Sequence, residues 1–391
     1  MNLSDIERFG FSLSADNKDI RDVMTRFARE QLAPGSALRD KSGLFPTEQI
    51  NALAQLGAMA MKTPADAGGP GVDNQGYALC IEALSRFDPS VAVVTVASNL
   101  AAAILSLNGT PAQQEKFLRP LVQGGIGHAA FALTESHAGS DAAAIRTQAI
   151  RSGGNWTING SKQWITGASD SRLFVVFART PGDSSDKATT CFVVPNDTPG
   201  FSIGRIEDKM GLRSSGTAEL QFTECRIPDG NRIGDVGAGL QIALGAISPS
   251  RVAIAAQSIG IAERAFELGL AYAAQRQAFG QALTGFQNTR FVLADCRAAL
   301  DQAWLLMLRA ASLLDNNIEI RGEASMAKLV ASEVCTTVVD KMLQLHGGNG
   351  YSSEYEIERL YRDARVMRIF EGTSEIQREV IARDILAQHH S

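Results

Sequence analysis

The chain has 391 residues, 45% hydrophobic and 20% charged, close to globular averages, so a mostly disordered chain, a collagen and a single small core are excluded. Lys and Arg number 37 against 42 Asp and Glu, for a formal charge of −5, so no net basic field exists to hold a nucleic-acid backbone or an anionic membrane. Neither is expected as a partner. Cys80, Cys191, Cys225, Cys296 and Cys335 are widely spaced and odd in number, so they read as buried thiols of a reducing compartment rather than a disulfide framework or a zinc site. Residues 1–5 carry no basic segment leading into an apolar run and are too acidic for a transit peptide, so a soluble cytoplasmic protein is expected.

From residue 16 to about 124 the chain reads as helical. The runs 19–31, 46–56, 75–85 and 111–119 lack internal breakers apart from Gly76, whereas Gly68, Gly69, Pro70 and Gly71 cluster between two of them. The most apolar stretch, 91–107, falls short of the roughly 20 residues a membrane span needs. With Thr95, Ser98, Asn99 and Ser106 inside it, it reads as a buried core helix. From about Gly127 short β-rich runs follow. Runs 173–178 and 190–194 are apolar and branched or aromatic, and Ala218, Leu220 and Phe222 alternate with Glu219, Gln221 and Thr223, the period of a strand with one wet face.

Beyond about Gly237 the helical signal returns at greater length. Val292, Cys296, Ala299, Ala303, Leu306, Ala310 and Leu313 form one stripe, and Ala327, Ala331, Val334, Val338, Met342 and Leu345 form another. Helices are predicted over 251–275, 289–314, 324–345 and 374–388. Stripes of this kind must bury against one another, most simply as a four-helix bundle. The predicted fold is therefore mainly α with a central β-domain: an α-helical domain over 1–125, a β-domain over 126–236 and a bundle over 237–391. The apolar area left over suits an oligomer.

No nicotinamide, P-loop, zincin or nucleophile-elbow motif is present. The histidines at 128, 137, 346, 389 and 390 lack metal-ligand spacing, so no metal is expected; His346 reads as structural, and His389 and His390 as a solvated tail. Four segments carry unusual density of Gly, Thr, Ser and aromatics. F-A-L-T-E-S-H-A-G-S-D (131–141) and G-S-K-Q-W-I-T-G-A (160–168) each place a threonine after apolar residues beside a turn. Such hydroxyls can bond a heterocycle or phosphate, or can equally be satisfied locally at a strand end. R-Q-A-F-G-Q-A-L-T-G-F-Q (276–287) is a helix end and turn with a cation. The fourth, 344–377, holds Q-L-H-G-G-N-G-Y and I-F-E-G-T-S-E-I-Q; its glycines permit close approach to a phosphate or a helix C-cap. Glu371 follows the apolar pair Ile369 and Phe370, and Ser374 with Gln377 reads as a capping box opening the last helix. Desolvated there, a carboxylate becomes a base near neutral pH; exposed, it is an acid near a favourable helix dipole.

In this order, on a helical–β–helical chain of this length, the four segments resemble the acyl-CoA dehydrogenase family over essentially the whole sequence. The short- and medium-chain type is the nearer likeness, because I-F-E-G-T-S-E-I-Q carries Glu371, while the other base position, just before Arg251, is Ser250. The resemblance implies FAD bound at a subunit interface of a homotetramer built as a dimer of dimers. Phe131, Leu133, Thr134, Gly139 and Ser140 would line the flavin with Trp164, Ile165 and Thr166. Arg276, Phe279, Gln287, Gln344, Gly347 and Gly348 would hold the adenosine pyrophosphate, and Thr373 and Glu375 would complete the site. Ser140, Ser248, Arg251 and Gly372 would contact the acyl-CoA. The implied reaction takes the Cα proton to Glu371 and hydride from Cβ to the flavin, with electrons passing to an electron-transfer flavoprotein. An acyl-CoA oxidase or other oxygen-using flavoenzyme of the same fold, and a non-catalytic acyl-CoA-binding assembly protein, are the alternatives. Two departures fall on the thioester side: Ser136-His137 follows Thr134-Glu135 where relatives commonly have proline, which is expected to loosen that turn, and Ser248 replaces a common Asp.

Overall fold

The computed structural model describes residues 10–11, 13–180 and 188–389; the 1–5 segment and His390 lie outside the described residues. The first region is helical, with α1 (Ala15–Phe27), α2 (Thr47–Gln55), α3 (Asn74–Ser85) and α4 (Pro89–Asn108). Each start follows from local chemistry. Ser14 and Asp73 accept backbone N–H groups at the heads of α1 and α3, and Asp88 accepts from Ser90 and Val91 while Pro89 occupies the first turn of α4. Helix α4 is long and apolar enough to cross a membrane, yet 78% of its apolar window is buried inside the fold. Its polar residues are satisfied there: Asn99 donates to the carbonyls of Ala58 and Thr95 and accepts the Met61 N–H at 2.7 Å.

The central region is one eight-stranded sheet in the order β6-β7-β3-β2-β4-β5-β8, with β1 beside β4. The strands are β1 (Ala129–Ala132), β2 (Gln148–Ser152), β3 (Asn155–Ile165), β4 (Leu173–Arg179), β5 (Thr189–Pro195), β6 (Phe201–Ile206), β7 (Ala218–Pro228) and β8 (Arg232–Ile233). The unbroken apolar run of β4 is explained by burial on both faces. Leu173, Val175 and Phe177 join the core shared with the helices, and Phe174, Val176 and Ala178 join a second core within the sheet. The sheet curls over that second core, since Phe201 on β6 packs on Phe174 with ring centroids 4.8 Å apart. On β7 the predicted alternation is present, with Ala218, Leu220 and Phe222 buried and Gln221 and Thr223 exposed.

The last region contains α5 (Gly239–Gln275), α6 (Gln287–Asp315), α7 (Arg321–His346), α8 (Glu356–Ala364) and α9 (Ser374–His389). Helix α5 begins well before the expected residue 251 and runs through Pro249. Proline removes one hydrogen bond, and the burial of Ile242, Ala243 and Ala246 offsets that loss. Helix α8 was not expected from the sequence; it buries Ile357, Leu360 and Ala364. On α6 the buried line runs through Cys296, Leu300, Ala303, Trp304, Met307 and Ala311, so Val292, Ala299, Leu306 and Leu313 of the expected stripe are only half-buried. Helix α3 crosses close to α5 at Gly260, where any side chain would collide with the Glu82 carbonyl. Arg86 fixes that crossing by pairing with Glu82 and Glu267, each at 2.5 Å. All five cysteines are buried and free.

Candidate active site

All three regions meet at a cavity of about 210 Å³. Its wall combines Val93, Val96, Ala97 and Leu100 of α4, Phe131, Leu133, Thr134, Gly139 and Ser140 after β1, and Trp164, Ile165 and Thr166 at the end of β3. Leu244, Ile247, Arg251 and Ile254 of α5 close one side, and Phe370, Glu371, Gly372 and Ile376 another. A more open groove of about 600 Å³ lies between residues 108–116 and 228–235, but it holds none of the candidate residues. Chemistry rather than size selects the smaller cavity.

The two aromatic and threonine-rich segments are stitched side by side. The Gln163 N–H donates to the Thr134 carbonyl at 2.9 Å, and Lys162 Nζ donates to the Leu133 carbonyl at 3.0 Å and to Glu135 Oε1 at 2.7 Å. Burial acts to raise the Glu135 carboxyl, but the Lys162 ammonium and the N–H groups of Arg146 and Thr147 overcome it and hold the carboxyl below its ordinary value. The expected loosening of the 135–138 turn does not occur. Glu135 and Ala138 exchange both backbone hydrogen bonds at 3.1 Å, so the absent proline is not needed to close it. A register shift between Lys162 and Ile165 puts Trp164 at φ 62°, and its ring is 53% exposed along the cavity. A bulge of this kind re-aims a side chain.

Glu371 sits at the opposite wall, also with positive φ, at 55°. Burial raises its carboxyl above the ordinary value, opposed by the Ser250 hydroxyl and by the Arg251 and Lys328 charges. Ser250 Oγ lies 2.9 Å from Glu371 Oε2 and 2.9 Å from the Ile247 carbonyl. A hydroxyl has one proton to donate. It can therefore bond the ionised carboxylate, or accept from the neutral acid while donating to Ile247, and so serves both protonation states of a base.

The expected capping box is not formed. Thr373 Oγ1 caps the Ile376 N–H, Ser374 donates to Glu333, and Gln377 Nε2 turns back to the carbonyls of Glu371 and Gly372. The helix starts one residue earlier than the motif implied, which frees Gln377 for the preceding turn.

Arg276, Phe279, Gln287, Gln344, Gly347 and Gly348 lie outside this cavity and are exposed, Phe279 at 98%. They belong to the end of α5 and the turn after it, the start of α6 and the end of α7, and Tyr272 near the end of α5 stacks on His346 at the end of α7, with centroids 4.3 Å apart. His346 is buried and bonded to the Met342 carbonyl, in keeping with a structural role. Nothing stands within 4 Å of where a side chain would begin on Gly347 or Gly348, so their backbone is open to a ligand. Thr373 is half-buried and Glu375 exposed at the head of α9, and Ser248 is half-buried on α5. Among the described residues no cluster of metal-ligating side chains exists.

Models of the acyl-CoA dehydrogenase N-terminal, middle and C-terminal domains match residues 14–125, 130–225 and 237–386. The chain belongs to the acyl-CoA dehydrogenase family. The mitochondrial short-chain specific acyl-CoA dehydrogenase of Rattus norvegicus is 41% identical over 374 residues, 95% of this chain and 90% of that protein. The caffeyl-CoA reductase-Etf complex subunit CarC of Acetobacterium woodii is 38% identical over 375 residues, covering 95% and 99%. The structure of butyryl-CoA dehydrogenase from Megasphaera elsdenii superposes with a TM-score of 0.93 at 37% identity, covering 96% and 99%. The chain is thus an FAD-dependent oxidoreductase of acyl-CoA thioesters.

The cavity fits that cofactor. A flavin needs hydroxyl and backbone donors beside an aromatic wall, supplied by Thr134, Thr166 and Trp164, and no other described group bonds either threonine hydroxyl. Sequence reasoning missed Lys328 and Gln377, both wholly buried beside Glu371. A lysine next to Ala327 in an apolar helix stripe was the available signal.

Proposed function

We propose that Glu371 is the base of the dehydrogenation and removes the Cα proton of a short acyl thioester. FAD, when bound, supplies the acceptor for hydride from Cβ. The observation that carries the assignment is a desolvated carboxylate facing Thr134, Trp164 and Thr166 across one cavity. Thr134 and Thr166 hold the ring system, and Trp164 covers it. The Glu371 N–H, used by no other described group, donates to the thioester oxygen and stabilises charge developing there. Val93, Val96, Leu100 and Ile254 exclude water and leave room for a small acyl group, which the short-chain and butyryl specificities in the relatives' names support.

An electron-transfer flavoprotein is the proposed acceptor of the electrons, supported by the Etf complex named for the Acetobacterium relative. A homotetramer is supported by the apolar line of Phe291, Ala294, Ala298 and Leu305, all exposed on one face of α6. The five free, buried thiols support a reducing compartment, read as the cytoplasm.

Anaerobic bleaching of the yellow protein by butyryl-CoA tests the base. Glu371→Gln keeps FAD and binds the thioester, and its reduction rate falls by roughly 100- to 10,000-fold. Equal rates in variant and parent would end the assignment.

A further inference from the structure

Glu371 stands in a backbone conformation that a side chain disfavours, φ 55°, and Gly372 follows at φ 90°. For glycine this is free, but for Glu371 it costs on the order of 1–3 kcal/mol and persists only where the surroundings hold it. Two buried side chains do so here. Lys328 Nζ donates to the Gly372 carbonyl at 2.8 Å, and Gln377 Nε2 spans the Glu371 carbonyl at 3.1 Å and that of Gly372 at 2.8 Å.

Lys328 is unusual in itself, being 0% exposed on α7 with small Ala327 and Ala331 nearby. The charges that face it are Glu371, Arg251, Glu333 and Glu375; Arg321 acts on Arg251, and Tyr77 of α3 faces Glu371. Glu333 is engaged by Arg368 at 3.0 Å and by the Ser374 hydroxyl, and Glu375 is exposed. Glu371, half-buried at the cavity wall, is the remaining anion. Arg251 bonds Ser325 through Nη1, while its buried Nε has no partner among the described residues.

We propose that Lys328 is a positioning residue of the reaction: its ammonium clamps the Gly372 carbonyl so that Glu371 keeps its left-handed turn, and with Arg251 it keeps the base ionised inside an apolar cavity. When the α-proton moves to Glu371, the negative charge moves to the thioester oxygen. The charge balance is then the same before and after the step, two cations and one anion. Burial drives both groups the other way: it raises the Glu371 carboxyl, and even with Glu371 opposing it, it lowers the Lys328 ammonium to about 8.

The inference rests on Glu371 as base, and its test can fail separately from that reading. The FAD-loaded, full-length enzyme is mixed anaerobically with saturating butyryl-CoA, and the single-turnover reduction rate is followed against pH. In Lys328→Met the flavin spectrum and thioester affinity stay near the parent's, while the acid limb moves to higher pH. Below the limb the rate falls about tenfold for each unit moved. Gln377→Leu removes a neutral donor, so its rate falls at every pH with the limb in place. An unmoved limb in Lys328→Met, or an equal displacement in Gln377→Leu, overturns the charge role. Should Lys328→Met not yield yellow protein, Lys328→Gln is read in the same way. Infrared titration of the parent against Glu371→Gln then supplies a second readout: Glu371 is expected ionised at neutral pH, and a protonated carboxyl there overturns the proposal. Loss of reduction in Glu371→Gln is expected in either case.

Discussion

At the scale of single residues, Glu371 combines two properties that oppose stability: a raised carboxyl and a left-handed backbone. The sign of the first is definite. Between the unfolded carboxyl value and the raised one, the folded protein holds a proton that the unfolded chain has released, so stability falls as pH rises through that window and the full cost remains above it. Glu371→Gln removes this cost. The variant is expected to melt higher than the parent at neutral pH, with the gain fading toward about pH 4, where both states of the parent are protonated; calorimetry across that range checks it, and a gain independent of pH would refute the carboxyl as its source. Glu371 was legible as a candidate because an acid after Ile-Phe and before Gly-Thr-Ser is visible in one dimension. Its partners Ser250, Lys328 and Gln377 lie 121, 43 and 6 positions away, and only packing brings the first two to it.

Among elements, the end of β3 and the turn after β1 act as one unit because the Lys162–Glu135 pair is buried between them. Removing one partner of such a pair strands a charge and costs roughly 3–5 kcal/mol. Lys162→Met should lose that much in denaturant unfolding, whereas Lys162→Met combined with Glu135→Gln should recover a part of it; equal losses would show that the ion pair is not what joins the strands. A second junction ties α8 to the loop before β7, where the Leu212 N–H donates to Asp363 Oδ1 at 2.6 Å. Burial pushes the Asp363 carboxyl up to about 7. Its contribution to stability therefore falls as pH rises from about 4 to 7, by at most roughly 1.4 kcal/mol per unit. Asp363→Asn keeps an acceptor for Leu212 and should flatten that slope in melting experiments. An unchanged slope would place the titration elsewhere. Helix α8 itself escaped sequence reading because charges dominate E-I-E-R-L-Y-R-D-A-R, and its apolar face is only Ile357, Leu360 and Ala364.

For the whole molecule, the cavity exists because helices from both ends of the chain close over the sheet, so no single region contains the site. The exposed line on α6 is an uncovered apolar face. Light scattering should give a mass of four chains of 41.7 kDa, and Phe291→Glu, 58% exposed in one chain, should lower it without loss of helix; a monomeric parent would refute that use of the face. The amino-acid order by itself determined the helical, β and helical thirds, two of the segments that line the cavity, and Glu371 as the candidate base, because periodicity and short motifs are local properties of the chain. Tertiary structure alone decided that α5 starts at Gly239, that the turn after Thr134 stays closed, and that a buried lysine and glutamine bond the Glu371–Gly372 turn. Each of those outcomes depends on burial and on hydrogen bonds to residues remote in sequence, or on where a helix begins, and a linear pattern does not encode them.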